Sequence, residues 1–328
     1  MSLFPVERRL CGAVEFLNNQ PTPGAFVGER SATTSGRRLT LPTIRTCFRV
    51  ALCSFVFLAG WHLPAQAHED GAPFSGAIVE PLRVHHAHIE DELRVNNAVL
   101  GNFRADDGKR TAFENSLELG IAWTEEFTLG SEILIPFSNT GDDRDDYSIG
   151  DIEVWPVKYA FVNSPETILT GVLSFTLPSG DKSKGLGEGD TALGVFFLAD
   201  NAYENWFVGV NVEIETAISG GTATETELAM VLSYSFIAET AEGGIAPSEP
   251  NQKFVPALSI EAVFESVLGG DEKGDSVVSV VPGVHLWHPA SGWAARLGVD
   301  IPISLDKPAD YSVLFQFGKH LDWGTLFR

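Results

Sequence analysis

The chain has 328 residues, 44% hydrophobic and 20% charged, with 44 acidic against 22 basic side chains. That apolar content excludes a low-complexity disordered chain, and a net charge of −22 repels phosphate and argues against nucleic acid as a partner. The three cysteines all lie within the first 53 residues, so a disulfide scaffold is excluded as well.

Taken in chain order, residues 1–43 are rich in Ser, Thr, Gly and Arg and carry no hydrophobic period. They read as an extension that is not part of the native product, with translation expected to start near Leu39 or Leu41. Residues 44–67 then match a secretory signal peptide. Arg45 and Arg49 precede an apolar run from Val50 to Trp61, and Ala65 and Ala67 form the small-residue cleavage site. The run is shorter than the roughly 20 residues of a membrane helix, which sets the competing reading, a short anchor, behind. Cleavage after Ala67 removes seven Arg and three Glu and leaves 15 basic and 41 acidic groups, no cysteine, and a net charge of −26. Residues 68–88 are expected as a periplasmic lead-in, and 89–328 as one β-domain.

Beyond Ala67 no stretch approaches 18 apolar residues, and alternation with period two dominates instead. Twelve strands are predicted, at 90–103, 113–123, 127–137, 151–162, 167–178, 190–199, 205–215, 226–238, 254–268, 276–288, 292–303 and 311–323. Most run for more than the 5–6 residues usual in soluble sheets and match the roughly 9–11 of a tilted membrane strand. Short connections (124–126, 163–166, 200–204, 289–291) alternate with long Gly- and Asp-rich ones (138–150, 179–189, 216–225, 269–275, 304–310), the outer-membrane arrangement of short periplasmic turns and long outer loops. Residues 239–253 break it, being long where a short turn is expected. In lipid every backbone N–H and C=O must pair internally, so the predicted fold is all-β, a closed antiparallel transmembrane barrel of about twelve strands. Aromatics near strand ends, including Trp123, Phe127, Phe137, Trp155, Phe161, Trp206, Trp287, Trp293 and Trp323, suit interfacial girdles. A soluble β-domain with the same aromatics in its core is the competing reading.

The polar face of such strands faces the lumen. Glu92, Arg94, Glu118, Glu132, Glu153, Lys158, Asn211, Glu213, Glu215, Glu261 and Arg296 fall there. Carboxylates facing Arg94, Lys158 and Arg296 are expected to pair across the barrel. Twelve strands lie between filled and open barrels, so an open cation-favouring channel and a closed ion-paired interior both remain.

Gly150-Asp-Ile-Glu-Val-Trp-Pro-Val-Lys-Tyr-Ala-Phe161, Leu173-Ser-Phe-Thr-Leu-Pro-Ser-Gly-Asp181, Lys184-Gly-Leu-Gly-Glu-Gly189 and the strand at 205–215 follow one another in order. Together they resemble bacterial outer-membrane barrels of the MetA-pathway of phenol degradation family. The match covers about a quarter of residues 68–328. The resemblance implies an outer-membrane barrel passing small hydrophobic or aromatic molecules, and carries no catalytic residues. Such barrels end in a strand of alternating aromatics with a terminal Phe, read by the barrel assembly machinery. Tyr311, Val313, Phe315 and Phe317 alternate accordingly, but Phe327 is penultimate.

His85-His86-Ala-His88-Ile-Glu90-Asp91-Glu92 is the densest set of ligand-type side chains. On an extended chain His86, His88 and Glu90 share a side and offer Zn or Cu nitrogen and oxygen donors. Metal sites, however, draw ligands from separated segments, so the set reads first as the polar approach to the first strand. No metal or cofactor is expected. Neither G-x-S-x-G nor H-E-x-x-H occurs, and Ser235, Ser259 and His285 show no pairing in sequence, so an enzyme is not expected and a lipid-modifying one ranks third. The first reading is passive passage of small molecules. The second is a structural or adhesive barrel whose acidic loops hold lipopolysaccharide through divalent cations. Membrane lipid, lipopolysaccharide, the assembly machinery and a small solute are the expected partners.

Overall fold

The structure is a computed structural model. It describes residues 81–321 apart from 106–107, 125, 140–147, 182–186, 188, 220, 237–253, 271–272, 289–290, 305–306 and 308. The leader (1–67), the irregular connection at 239–253 and Phe327 therefore lie outside the described residues.

Thirteen strands are present among them: β1 (Glu92–Ala105), β2 (Gly108–Ala122), β3 (Leu129–Asn139), β4 (Ser148–Ile149), β5 (Ile152–Asn163), β6 (Thr167–Leu177), β7 (Thr191–Tyr203), β8 (Trp206–Ser219), β9 (Thr224–Ser235), β10 (Val255–Gly269), β11 (Ser276–His288), β12 (Trp293–Pro302) and β13 (Tyr311–His320). The two-residue β4 only borders β3. The other twelve are the staves of a closed antiparallel barrel. Each pairs with its neighbour in sequence, β3 with β5, and β1 closes on β13 from Glu92↔His320 to Gly101↔Tyr311. No stave edge is left without a partner strand, which is what hydrocarbon demands of an extended backbone.

Every stave overlaps its predicted span. The difference lies at 216–225, where a long loop is expected. β8 and β9 instead run on to Ser219 and from Thr224, because Glu215↔Glu225 and Thr216↔Thr224 keep pairing across a narrow turn. Successive connections alternate between the two ends, and β1 starts and β13 finishes at the end that carries the short turns 123–128, 164–166 and 204–205.

The distribution of side chains is that of a membrane barrel rather than of a soluble sandwich. Along β8, Trp206, Val208, Val212 and Ile214 are exposed, while Phe207, Gly209, Asn211, Glu213 and Glu215 are buried. The same inversion runs through β7, β9 and β10, with Phe197, Leu228, Met230, Leu232, Leu258 and Ile260 outside. Exposed hydrocarbon costs free energy in water and is favourable against lipid, and the polar face is then left to the lumen. Exposed aromatics gather at the short-turn end, among them Trp123 (61% exposed), Phe161, Tyr203, Trp206, Phe236 and Phe254. Trp155 departs from the expected girdle. An irregularity between Val154 and Val157 shifts the parity of β5, so Trp155 and Lys158 both point inward.

Met230 lies mid-strand on the outer face, opposite Val210 and Ala262. Met230→Arg is expected to lower unfolding stability in vesicles by roughly 2–4 kcal/mol if it sits at the bilayer midplane. Denaturant titration reads this out, and an unchanged midpoint would place this face in water.

Candidate functional site

The interior is not empty. The chain enters from the short-turn end at Asp91, which is pinned to the rim: its carbonyl accepts from the Leu321 N–H at 2.7 Å and its carboxylate from the Ala122 N–H at 2.8 Å. From there residues 90 back to 81 run up inside the barrel, almost all buried. The expected lead-in outside the barrel thus does not describe residues 81–88. Their unpaired backbone finds its partners on the inner wall, and their apolar side chains find a lining.

The lining is divided. On one side Trp155, Ile168, Val172, Phe196, Leu198, Phe207, Ala229, Val231 and Val263 form an apolar pad, on which Val84, Ala87 and Ile89 of the segment pack. His85 stands edge-on to Trp155 with 4.9 Å between ring centres. Elsewhere carboxylates of the wall hold the segment's backbone. Glu261, fully buried, accepts three N–H groups, from Leu82 (2.8 Å), Arg83 (2.8 Å) and Val84 (2.9 Å). Asp200 accepts from the Ala87 N–H at 2.6 Å, and the Gln316 amide donates to the Leu82 carbonyl at 2.8 Å. The Arg83 guanidinium pairs with Asp300 and, at 2.6 Å, with Glu265. Glycines on the wall make the room. A Cβ at Gly283 or Gly298 would collide with Leu82, and one at Gly130 with Ile89.

Each residue assigned to the lumen from sequence points inward, and all except half-buried Glu132 are buried. They fall into several sets. Arg94 pairs with Glu118 on the adjacent strand and lies 3.4 Å from Glu92, which is 3.6 Å from Arg296. Lys158 pairs with Glu132 at 3.5 Å. Glu153 accepts from the Trp155 indole at 2.8 Å, and Glu215 from the Thr176 hydroxyl at 3.0 Å. Glu213 lies in register with Glu227, and Glu227 with Glu265. Asn211 is buried among them on β8. The expected cross-barrel pairs are replaced by pairs between close strands, because the segment's backbone occupies the space between opposite walls. Arg83 spans that space; it was missed in the sequence, as were Asp200, Glu265, Asp300 and His320. The one local signal was an Arg set between two apolar residues, Leu82-Arg83-Val84, just before the His-rich run.

His86, His88 and Glu90 are brought together with their ligand-type atoms all within 4.8 Å. Burial, with the His88 ring beside it, holds the His86 imidazole well below the ordinary histidine range. Burial pulls Glu90 upward, but the His320 and His88 imidazoles outweigh it and hold its carboxyl well below the ordinary carboxylate range. Ser259 and His285, unpaired in the sequence reading, are in fact 2.7 Å apart between Oγ and Nε2. The His285 Nδ1 has no hydrogen-bond partner among the described residues, so the pair lacks the acid that orients a hydrolase histidine.

Fold and interior together define a transmembrane β-barrel with a polar lumen filled by its own N-terminal segment. No family model matches the chain, and no curated protein matches it. Among solved structures it is similar to an outer-membrane channel from Pseudomonas putida F1, at 13% identity and a TM-score of 0.48 over 74% of this chain and 99% of that one. It is also similar to the NanC porin (12%, 0.44, 70% and 99%) and to LpxR from Salmonella typhimurium (8%, 0.42, 70% and 100%). These identities carry no residue roles across.

Glu261→Ala would orphan three buried N–H groups, at roughly 1–3 kcal/mol each. Hydrogen exchange should then show the amides of residues 82–84 losing protection while β6 and β7 keep theirs. Retained protection at 82–84 would mean that Glu261 does not hold the segment.

Proposed function

We propose that the chain is an outer-membrane channel for small molecules, kept closed by residues 81–91. The observation that carries this reading is how the segment is held. It is not a strand of the sheet; it is fastened by separable contacts to Glu261, Asp200, Asp300 and Glu265 and packed on an apolar pad. Such a segment can leave the lumen without breaking the barrel's hydrogen-bond ladder. The barrel stays closed to lipid while its interior opens to solute.

Passage of small hydrophobic or aromatic solutes is supported by the resemblance of residues 150–215 to the MetA-pathway of phenol degradation family, an associational ground. The pad of Trp155, Phe196 and Phe207 adds a physical one: once Val84, Ala87 and Ile89 withdraw, it offers an aromatic surface of the kind such solutes adsorb on. Glu213, Glu215, Glu227 and Glu265 would line the opened lumen, which favours cations over anions. The signal-peptide pattern and the terminal aromatic strand support export to the outer membrane through the assembly machinery, with lipid and lipopolysaccharide around the barrel.

The packed lumen also favours a second reading, a permanently closed barrel with a structural or adhesive role played by its acidic loops. Planar-bilayer recording separates the two. The full chain should show little or no conductance, and a variant lacking residues 68–90 should give discrete cation-preferring steps. A folded deletion variant without steps would overturn the channel and leave the closed barrel.

A further inference from the structure

We infer that His86, His88 and Glu90 form a binding site for a divalent transition-metal ion such as Zn2+. On the extended segment these alternate residues project to one side. The His88 Nε2 lies 2.9 Å and the His86 Nε2 3.6 Å from the same oxygen, Glu90 Oε1. Around a tetrahedral zinc with bonds of about 2.0–2.1 Å, ligand atoms stand about 3.4 Å apart. Both nitrogens are thus already near the separation from the Glu90 oxygen that an ion imposes, and all three ligand atoms lie within 4.8 Å of one another. The contacts that now join them are those an ion would replace, releasing any proton they share.

A metal-binding histidine turns its second ring nitrogen to an acceptor; His86 makes that contact, whereas the His88 Nδ1 comes within charge-pairing distance of a carboxylate without a hydrogen bond. The His86 Nδ1 lies 3.1 Å from the His88 carbonyl. The His88 Nδ1 lies 3.7 Å from the Asp200 carboxylate on β7. Both rings therefore turn Nε2 toward the common point. The other Glu90 oxygen, Oε2, is 2.5 Å from the His320 Nδ1 at the end of β13, which leaves Oε1 for the ion. Ligand support thus converges from the segment, β7 and β13, the convergence that the local sequence lacked. A small cavity adjoins His86 and Glu90, bounded also by Glu92, Glu118, Glu132 and Lys158. Imidazole and carboxylate donors suit zinc and copper better than magnesium or calcium. The inference does not depend on whether the barrel conducts.

The test uses the full chain, purified in detergent, stripped with chelator and titrated with Zn2+ against a colorimetric competitor. One ion per chain is expected. His86→Ala or His88→Ala should each weaken binding at least about 10-fold, and the double variant should abolish it. His288→Ala, outside the cluster, should leave it unchanged. Heat-dependent gel mobility checks that each variant is folded. Absence of a bound ion in the wild-type protein, or unchanged affinity in a folded double variant, would overturn the inference. If the double variant does not fold, Co2+ loaded into the wild-type chain decides: intense tetrahedral absorption supports the site, and a weak spectrum like that of the aqueous ion refutes it.

Discussion

Closure of the sheet between β1 and β13 is the constraint on which the rest depends. A strand edge open to hydrocarbon would leave a row of N–H and C=O groups with no partner, and no side chain on the lipid face could supply one. Once the ladder closes, the face that points outward must be apolar, and the polar residues that alternate with it have nowhere to go but the lumen. Glu118, Glu213 and Glu261 are buried for that reason. Their burial is a consequence of wrapping, not of a preference of carboxylates for interiors.

A closed lumen crowded with carboxylates raises the second problem, that buried charge without a partner is costly. Wall cations answer only part of it, Arg94 with Glu118 and Lys158 with Glu132. The N-terminal segment answers much of the remainder. Its backbone N–H groups bond to Glu261 and to one oxygen of Asp200, and Arg83 pairs with Asp300 and Glu265. The same segment covers the aromatic pad that would otherwise stand against water. One stretch of eleven residues, 81–91, thus meets two opposite demands, because an extended chain offers polar backbone and apolar side chains at once. Gly283 and Gly298 on the wall leave the width it needs.

That arrangement links structure to behaviour. A filler built into the sheet would be as permanent as the barrel. A filler held by hydrogen bonds, ion pairs and packing is instead separate from the barrel's own ladder.

The staves, their length and which of their faces meets lipid were legible in the sequence, since alternation is a property of neighbours in the chain. Phe113, Leu117 and Leu119 against Glu114, Ser116 and Glu118 need no knowledge of the fold. The inward direction of Glu92, Arg94, Glu261 and Arg296 follows from the same parity. Glu153 and Trp155 keep that parity and both turn inward; it is reset at Pro156 and Val157, a mid-strand proline being a mark of such an irregularity, so that Lys158 turns inward as well. Distances between strands carry no such periodicity. That His320 meets Glu90, that Asp200 meets His88, that Ser259 meets His285, and above all that residues 81–88 turn inward rather than away, were decided by tertiary structure alone. The physical reason is that a closed barrel brings its last strand beside its first and its walls around one axis, so groups far apart in the chain become neighbours.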